Sequence, residues 1–380
     1  MRRVIIYSLL LVGGMGLSQF PFVQLFSAAI ATLTMIFLAY IMIEVGMKFD
    51  IDKSRLSSYA VDYGIAMGAA AIPWLCAALY FWWFFSLGFK ESLLVGRFAS
   101  PTSAGILFTM LAAAGLAATW IYKRARVLAI FDDLDTVLLM IPLKMMLIGF
   151  EPKLLILVFA VFLLLAAAYF CIHWLPVPTS NGWIAAYATL VWAVTYAFDY
   201  ATDLHVEVLV PAFALGCVIK SDHLHGSAEY AVTGTKPSAQ EPASQAILDW
   251  AIKGGFMLLA GMAMPPIQLG GMAIAAVAFH VVLLTIVSNF GKCLPMAAYK
   301  TEATLRERLA LSIGMFPRGE VGIGVLLVSL EIFRQRNILD SPAVQQSMTI
   351  GALSLALNLA LTGVFIMAVI RLLRSKNAVP

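Results

Sequence analysis

Phe131-Asp132-Asp133-Leu134-Asp135 places three carboxylates in one apolar stretch. On a helix, Asp132 and Asp135 share a face, and Asp133 points about 100° away from Asp132. Adjacent carboxylates in a low dielectric cannot all stay ionised unless a cation compensates them. A carboxylate so placed can hold either a proton or a metal cation, and competition of that kind is the core of an exchange cycle. Lys292 is the candidate compensating charge, inside the apolar run Ser288-Asn289-Phe290-Gly291-Lys292-Cys293. From the middle of a membrane helix it cannot snorkel to water, so it needs an acidic partner, and Asp132 or Asp133 is expected to supply it.

Other charges sit in or near apolar runs. Arg318 and Glu320 are two residues apart, a spacing that does not face on a regular helix. In an unwound segment they could pair or cap half-helix ends, so a structural role is expected. Asp135 reads as a charge at the helix entrance, close to Arg124 and Arg126. Lys144 shares the face of Asp133 but lies about 16 Å further along by helical rise, so it is expected to snorkel to the outer surface. Glu44 and Asp62 near inner span ends, and Asp203 and Glu207 near an outer one, read as interfacial.

The elements that must position these groups are membrane helices. Of 380 residues, 62% are hydrophobic and 12% charged, and the mean hydropathy is +0.91. A soluble fold carries about 25% charged residues and cannot hide this much apolar surface. The net charge of +4 is spread along the chain and points to no nucleic-acid partner. At about 20 residues per crossing, about twelve spans are expected. They lie near 4–20, 24–47, 58–88, 100–122, 126–149, 153–175, 183–199, 204–220, 249–267, 272–298, 308–332 and 347–370. The first follows Met1-Arg2-Arg3 directly and reads as a helix rather than a cleaved signal. The long polar stretch 221–248 reads as a loop between two halves. With both termini in the cytoplasm, only Lys90, Arg97, Lys153, Arg334 and Arg336 fall in outer segments, and most other Lys and Arg lie inside. Tryptophans crowd span ends, as interfacial anchors do. Cys76, Cys171, Cys217 and Cys293 match no zinc spacing and no disulfide framework.

Two segments echo each other. One is Phe98-Ala99-Ser100-Pro101-Thr102-Ser103-Ala104-Gly105-Ile106, the other Met315-Phe316-Pro317-Arg318-Gly319-Glu320-Val321-Gly322-Ile323-Gly324. Each sets a proline and polar residues inside an apolar run, and the two spans run in opposed directions. Inverted repeats produce that pattern. Proline removes a backbone donor, and the freed carbonyls at membrane depth are tolerated only against protein or a water-filled cavity. There they can coordinate a cation. The expected fold is therefore an all-α polytopic membrane protein of inverted repeats with two crossed, broken helices.

The paired Asp132-Asp133, the late Lys292 and Pro317-Arg318-Gly319-Glu320 resemble the cation:proton antiporter superfamily, in its paired-aspartate branch of sodium/proton antiporters. The resemblance covers nearly the whole chain, including the spacings from Ser103 to Asp133 and from Lys292 to Arg318. It implies Asp133 as the principal ion carboxylate and Asp132 as the partner of Lys292 in the ion-free state. It implies Thr102 and Ser103 near the ion at the helix crossing, and Arg318 and Glu320 as stabilisers of the core. It also implies no cofactor, transported Na+ (or Li+ or K+) and H+, a role in pH homeostasis, a homodimer in a lipid bilayer, and a bacterial inner-membrane location. Asp135 and Lys144 depart from the family pattern, and the additional N-terminal helix of some relatives is not seen. No soluble sensing domain follows Pro380, which is not expected of a regulated potassium-efflux system.

The expected division is a scaffold and dimerisation unit (1–57), a core transport unit (58–150), scaffold helices with a cytoplasmic linker (151–271), and a second core unit (272–380). The functional expectation is sodium/proton exchange by alternating access. The alternatives are potassium/proton exchange and a sodium-coupled organic solute carrier of the same plan. An intramembrane aspartyl protease needs its two aspartates on different helices, one within Gly-x-Gly-Asp, and that motif is absent. His-Glu-x-x-His and phosphate-loop motifs are absent as well.

Overall fold

The computed structural model describes residues 2–47, 56–103, 119–139, 174–202, 208–220, 243–264 and 272–374, with isolated positions between these stretches. The described architecture is all-α. In chain order the helices are α1 (Arg2–Leu17), α2 (Pro21–Leu25), α3 (Ser27–Met47), α4 (Leu56–Phe84), α5 (Phe89–Gly96), α6 (Trp120–Leu138), α7 (Asn181–Thr202) and α8 (Leu209–Val218). They continue with α9 (Ala243–Ala263), α10 (Ile274–Gly291), α11 (Leu294–Ala298), α12 (Leu305–Gly314), α13 (Glu320–Gln335) and α14 (Pro342–Arg374). Among the described residues, Ser27–Met47, Ala60–Phe84, Ile274–Ala298 and Pro342–Leu373 are each long and apolar enough to cross a bilayer.

Two helix pairs pack with almost no space between backbones: α1 on α9, and α3 on α8. Glycine makes this possible. A Cβ on Gly14 would sit 2.2 Å from the Leu258 carbonyl oxygen, and one on Gly216 would sit 2.2 Å from that of Ile43 and 2.9 Å from the Gly46 Cα. Without a hydrophobic driving force in lipid, such close contact is what holds helices together. The helix α4 packs against α5, α6 and α10, and α14 packs against α1, α10 and α12. Gly291, the last residue of α10, lies directly on Pro73 of α4, where a Cβ would come within 2.6 Å of the proline Cα. The chain turn that carries Lys292 is thereby pressed against the neighbouring helix.

Several boundaries differ from the sequence reading. Residues 89–99 are not an outer loop. They form α5 and a 3-10 turn (Arg97–Ala99), the first half of a helix that breaks at Ser100. Lys90 and Glu91 at its start give this half a polar look, yet Arg97, counted above as outward-facing, is fully buried. The tenth span is interrupted at Lys292 and Cys293. The eleventh begins at Leu305, where Thr304 and Glu307 form a capping box. Most of the expected 126–149 span beyond Leu139, most of the 153–175 span, the 221–248 loop, Lys144, Asp203 and Glu207 lie outside the described residues.

Replacing Gly216 by Val should lower the thermal unfolding midpoint of the detergent-purified protein, because overpacking costs about 1–3 kcal/mol. Gly16→Ala, where nothing lies within 4 Å of an added Cβ, should leave it unchanged. Equal midpoints for the two variants would contradict the backbone contact described here.

Candidate functional site

Each echoing segment contains an unwound stretch, and the two stretches touch. After the 3-10 turn, Ser100–Ser103 leave the helix; after α12, Met315–Gly319 do the same before α13 begins at Glu320. The Ser103 amide donates to the Pro317 carbonyl at 2.8 Å. Each break thus supplies a partner that the other lacks. That satisfies the rule that irregular backbone at membrane depth must be matched by protein.

Arg318 and Glu320 tie the second break to its surroundings. The Arg318 guanidinium donates to the Ala99 carbonyl at 3.0 Å, the Ser288 carbonyl at 2.9 Å and the Asn289 side-chain oxygen at 2.5 Å. Its backbone amide donates to the Asn358 side-chain oxygen at 2.8 Å, and the Asn358 amide donates to Asn289 at 2.9 Å. Arg318 is 1% exposed. Its donors reach α10, α14 and the opposite break together, so it caps rather than pairs. Glu320 opens α13 and accepts from the Ser103 hydroxyl at 3.2 Å. The carboxylate at that helix N-terminus is favourably placed in the helix dipole field. No ion pair between Arg318 and Glu320 occurs among the described residues; they act on different partners.

Lys292 completes the crossing. Its ammonium donates to Asp132 Oδ2 at 2.6 Å and to the Ser100 carbonyl. Both charged side chains of the pair are fully buried. The Thr102 hydroxyl donates to the same Asp132 oxygen at 2.7 Å and lies 3.1 Å from the Met315 carbonyl. Behind this, Thr136 donates to the Asp132 carbonyl at 2.8 Å, and its hydroxyl is 2.9 Å from that of Ser100. Asp132 is therefore held by Thr102 of the first break, by Lys292 and by Thr136 of α6. Of the two candidate acids, Lys292 takes Asp132.

Asp133 differs from its neighbour in the respect that matters chemically. It is 1% exposed, and neither carboxylate oxygen has a hydrogen-bond partner. The charges that bear on it are Asp132, Lys292 and Glu320. A bare buried carboxylate is costly unless something neutralises it. Among the described residues no group of three or more His, Cys, Asp or Glu side chains is arranged to hold a metal ion. A hard monovalent cation at Asp133 would have to draw its remaining oxygens from hydroxyls and backbone carbonyls of the breaks.

One expectation is corrected. Asp135 is not a solvated entrance charge: it is 1% exposed and hydrogen-bonded by Tyr63. Arg124 is committed elsewhere, to Asp62 at 2.5 Å and Glu302 at 2.6 Å. Asp62, read as interfacial, is 2% exposed. Glu44 forms a half-buried ion pair with Lys253 at 2.7 Å. Sequence reasoning missed Asn289 and Asn358. The one signal for them was a neutral amide inside an otherwise apolar helix.

A family model described as sodium/hydrogen exchanger, transmembrane, matches residues 3–372. Among solved structures, the sodium proton antiporter MjNhaP1 from Methanocaldococcus jannaschii is similar, with a TM-score of 0.63 and 15% sequence identity. The match covers 96% of this chain and 92% of that one. At this identity the likeness is one of fold. No curated protein matches the chain.

Removing one side of the Asp132–Lys292 pair should be more damaging than removing both, because a lone buried charge costs about 3–5 kcal/mol. Lys292→Ala is expected to lower the unfolding midpoint of the purified protein clearly. The Asp132→Asn/Lys292→Gln double variant should recover part of the loss. Strictly additive losses in this cycle would mean that the two side chains do not interact.

Proposed function

The chain belongs to the sodium/hydrogen exchanger family, and from that premise we propose that it exchanges Na+ for H+ by alternating access, with Asp133 as the carboxylate that carries either ion. Membership in the family makes it a multi-pass membrane transporter of the cation/proton antiport class, not an enzyme. The observation that carries the finer reading is the contrast within the acid pair. Asp132 is engaged through Oδ2 by Lys292 and Thr102, with only its Oδ1 unpartnered, whereas both oxygens of Asp133 are buried and unpartnered.

The contrast suits exchange. An empty, ionised Asp133 would be a net charge in a low-dielectric interior, and moving it across the membrane would be prohibitive. A proton neutralises it; a partly dehydrated sodium ion does the same, with oxygens from Thr102, Ser103 and the unwound carbonyls. Either loaded form can cross, and the empty one cannot, so the two fluxes are coupled. In this reading Asp132 is kept from competing for the cation by Lys292. Arg318 and Glu320 hold the crossing rigid, so that the ligand positions survive the conformational change.

We further propose that residues 58–150 and 272–380 form the moving core. Residues 1–57 and 151–271 form a scaffold through which two copies associate. The location is a bacterial inner membrane, with both termini on the cytoplasmic side. The close contacts of α1 with α9 and of α3 with α8 favour this division, since both pairs fall within the scaffold ranges.

The test is Asp133→Asn, which keeps the shape and removes both the charge and the titratable proton. Reconstituted in proteoliposomes, the variant should insert and fold yet show no sodium-driven change of internal pH. Near wild-type exchange by this variant would remove Asp133 from the role.

A further inference from the structure

At the cytoplasmic end of the core, a second polar cluster joins the helix of the acid pair to the segment that follows Lys292. Arg124 lies in the first turns of α6. It reaches Asp62 of α4 at 2.5 Å and Glu302, in the turn before α12, at 2.6 Å. The Tyr299 hydroxyl donates to the other oxygen of Asp62 at 2.7 Å. The guanidinium carbon lies 5.2 Å from the centroid of the Tyr299 ring, and Trp120 packs edge-on against the same ring at 5.6 Å. Asp62 and Tyr299 are 2% and 3% exposed. The charged or titratable groups facing Arg124 are Asp62, Glu302 and Tyr299.

The placement of this cluster along the chain gives it a consequence for the ion site. Arg124 precedes Asp132 by eight residues of continuous helix, about 12 Å of rise. Tyr299 follows Lys292 by one break and the short helix α11. The same two chain segments are therefore joined twice: by Asp132–Lys292 at the site and by Arg124–Asp62–Tyr299 at the cytoplasmic end. Lys292 is also within electrostatic reach of Asp133. If its segment were free to shift, its ammonium could leave Asp132 and occupy the place of the cation.

We propose that Arg124, Asp62 and Tyr299 are positioning residues for cation exchange, a clamp that holds Lys292 on Asp132 and so keeps Asp133 open to sodium. The inference rests on the assignment of Asp133 given above. Burial, and then the hydrogen bond to Asp62, hold the Tyr299 phenol above its ordinary range, so the hydroxyl keeps its proton and the bond persists through neutral pH. The two hydrogen bonds of Arg124 go to separate carboxylates on separate elements. Lysine can keep the charge but has a single point to share between them.

The experiment measures the half-saturating sodium concentration of exchange in proteoliposomes for Arg124→Ala, Arg124→Lys and Tyr299→Phe. Each is made in the wild-type and the Lys292→Gln backgrounds, with Asp133→Asn alongside. Arg124→Ala should raise the half-saturating concentration about tenfold with the maximal rate nearly kept, Arg124→Lys should restore part of it, and Tyr299→Phe should give a smaller rise. In the Lys292→Gln background, which has no ammonium to compete, none of the three should change it further. An unchanged value in the wild-type background, or an equal rise in both backgrounds, would overturn the clamp. Tyr299→Phe removes one hydroxyl only and carries the test if Arg124→Ala does not fold. Loss of exchange in Asp133→Asn with no effect of the clamp variants would defeat the clamp alone, whereas exchange by Asp133→Asn would defeat the site assignment beneath it.

Discussion

A backbone group at membrane depth has no water to turn to, so an interrupted helix must find its missing partners in protein. Here the partners are found in a second interrupted helix. The Ser103 amide donates to the Pro317 carbonyl, Arg318 donates to the Ala99 carbonyl, and Lys292 donates to the Ser100 carbonyl. Each break meets acceptors or donors that the other leaves free. Pro101 and Pro317 each remove a backbone donor at the break, which favours the interruption. Once the two breaks cross, a cluster of inward-facing oxygens exists in an otherwise apolar interior. The acidic segment of α6 is packed against it.

The charges then sort themselves by what the crossing offers. Arg318 has more donors than any single acceptor can use: its guanidinium joins the 3-10 turn to α10, and its backbone amide reaches α14. Lys292 is a point charge and settles on one carboxylate and one carbonyl. Asp132 is tied down through one carboxylate oxygen, and Asp133, one residue on and turned about 100° away, through neither. The difference between the two aspartates is geometric before it is chemical. One faces the turn that carries Lys292, and the other meets no hydrogen-bond donor.

Much of this was legible in the sequence, because it rests on residues that are costly in lipid. Asp132, Asp133, Lys292, Arg318 and the two prolines stand out from apolar runs, and the physics that makes them expensive also makes them visible. The half-helix Phe89–Gly96 was not legible. Its opening residues are charged, and its buried Arg97 looks like any surface arginine until the fold surrounds it. The Asn289–Asn358 pair that locks Arg318 was hidden for another reason. Neutral amides are unremarkable in a list of polar residues, and their meaning lies in a contact 69 positions apart. The proposed clamp joins residues separated by 62 and 178 positions. Asp62 and Arg124 each sit where a lone interfacial charge would be unexceptional, so only the packing of α4 against α6 reveals the pair.

The central claim is that one buried carboxylate binds a sodium ion or a proton, never both. It is tested most directly without transport at all, by adding sodium chloride to the detergent-solubilised protein in weakly buffered solution near neutral pH and recording the pH. If Asp133 exchanges one ion for the other, sodium should release protons into the medium, and an equal concentration of choline chloride should not. Saturable sodium binding by calorimetry, with no proton release at any pH at which the protein stays folded, would contradict the account.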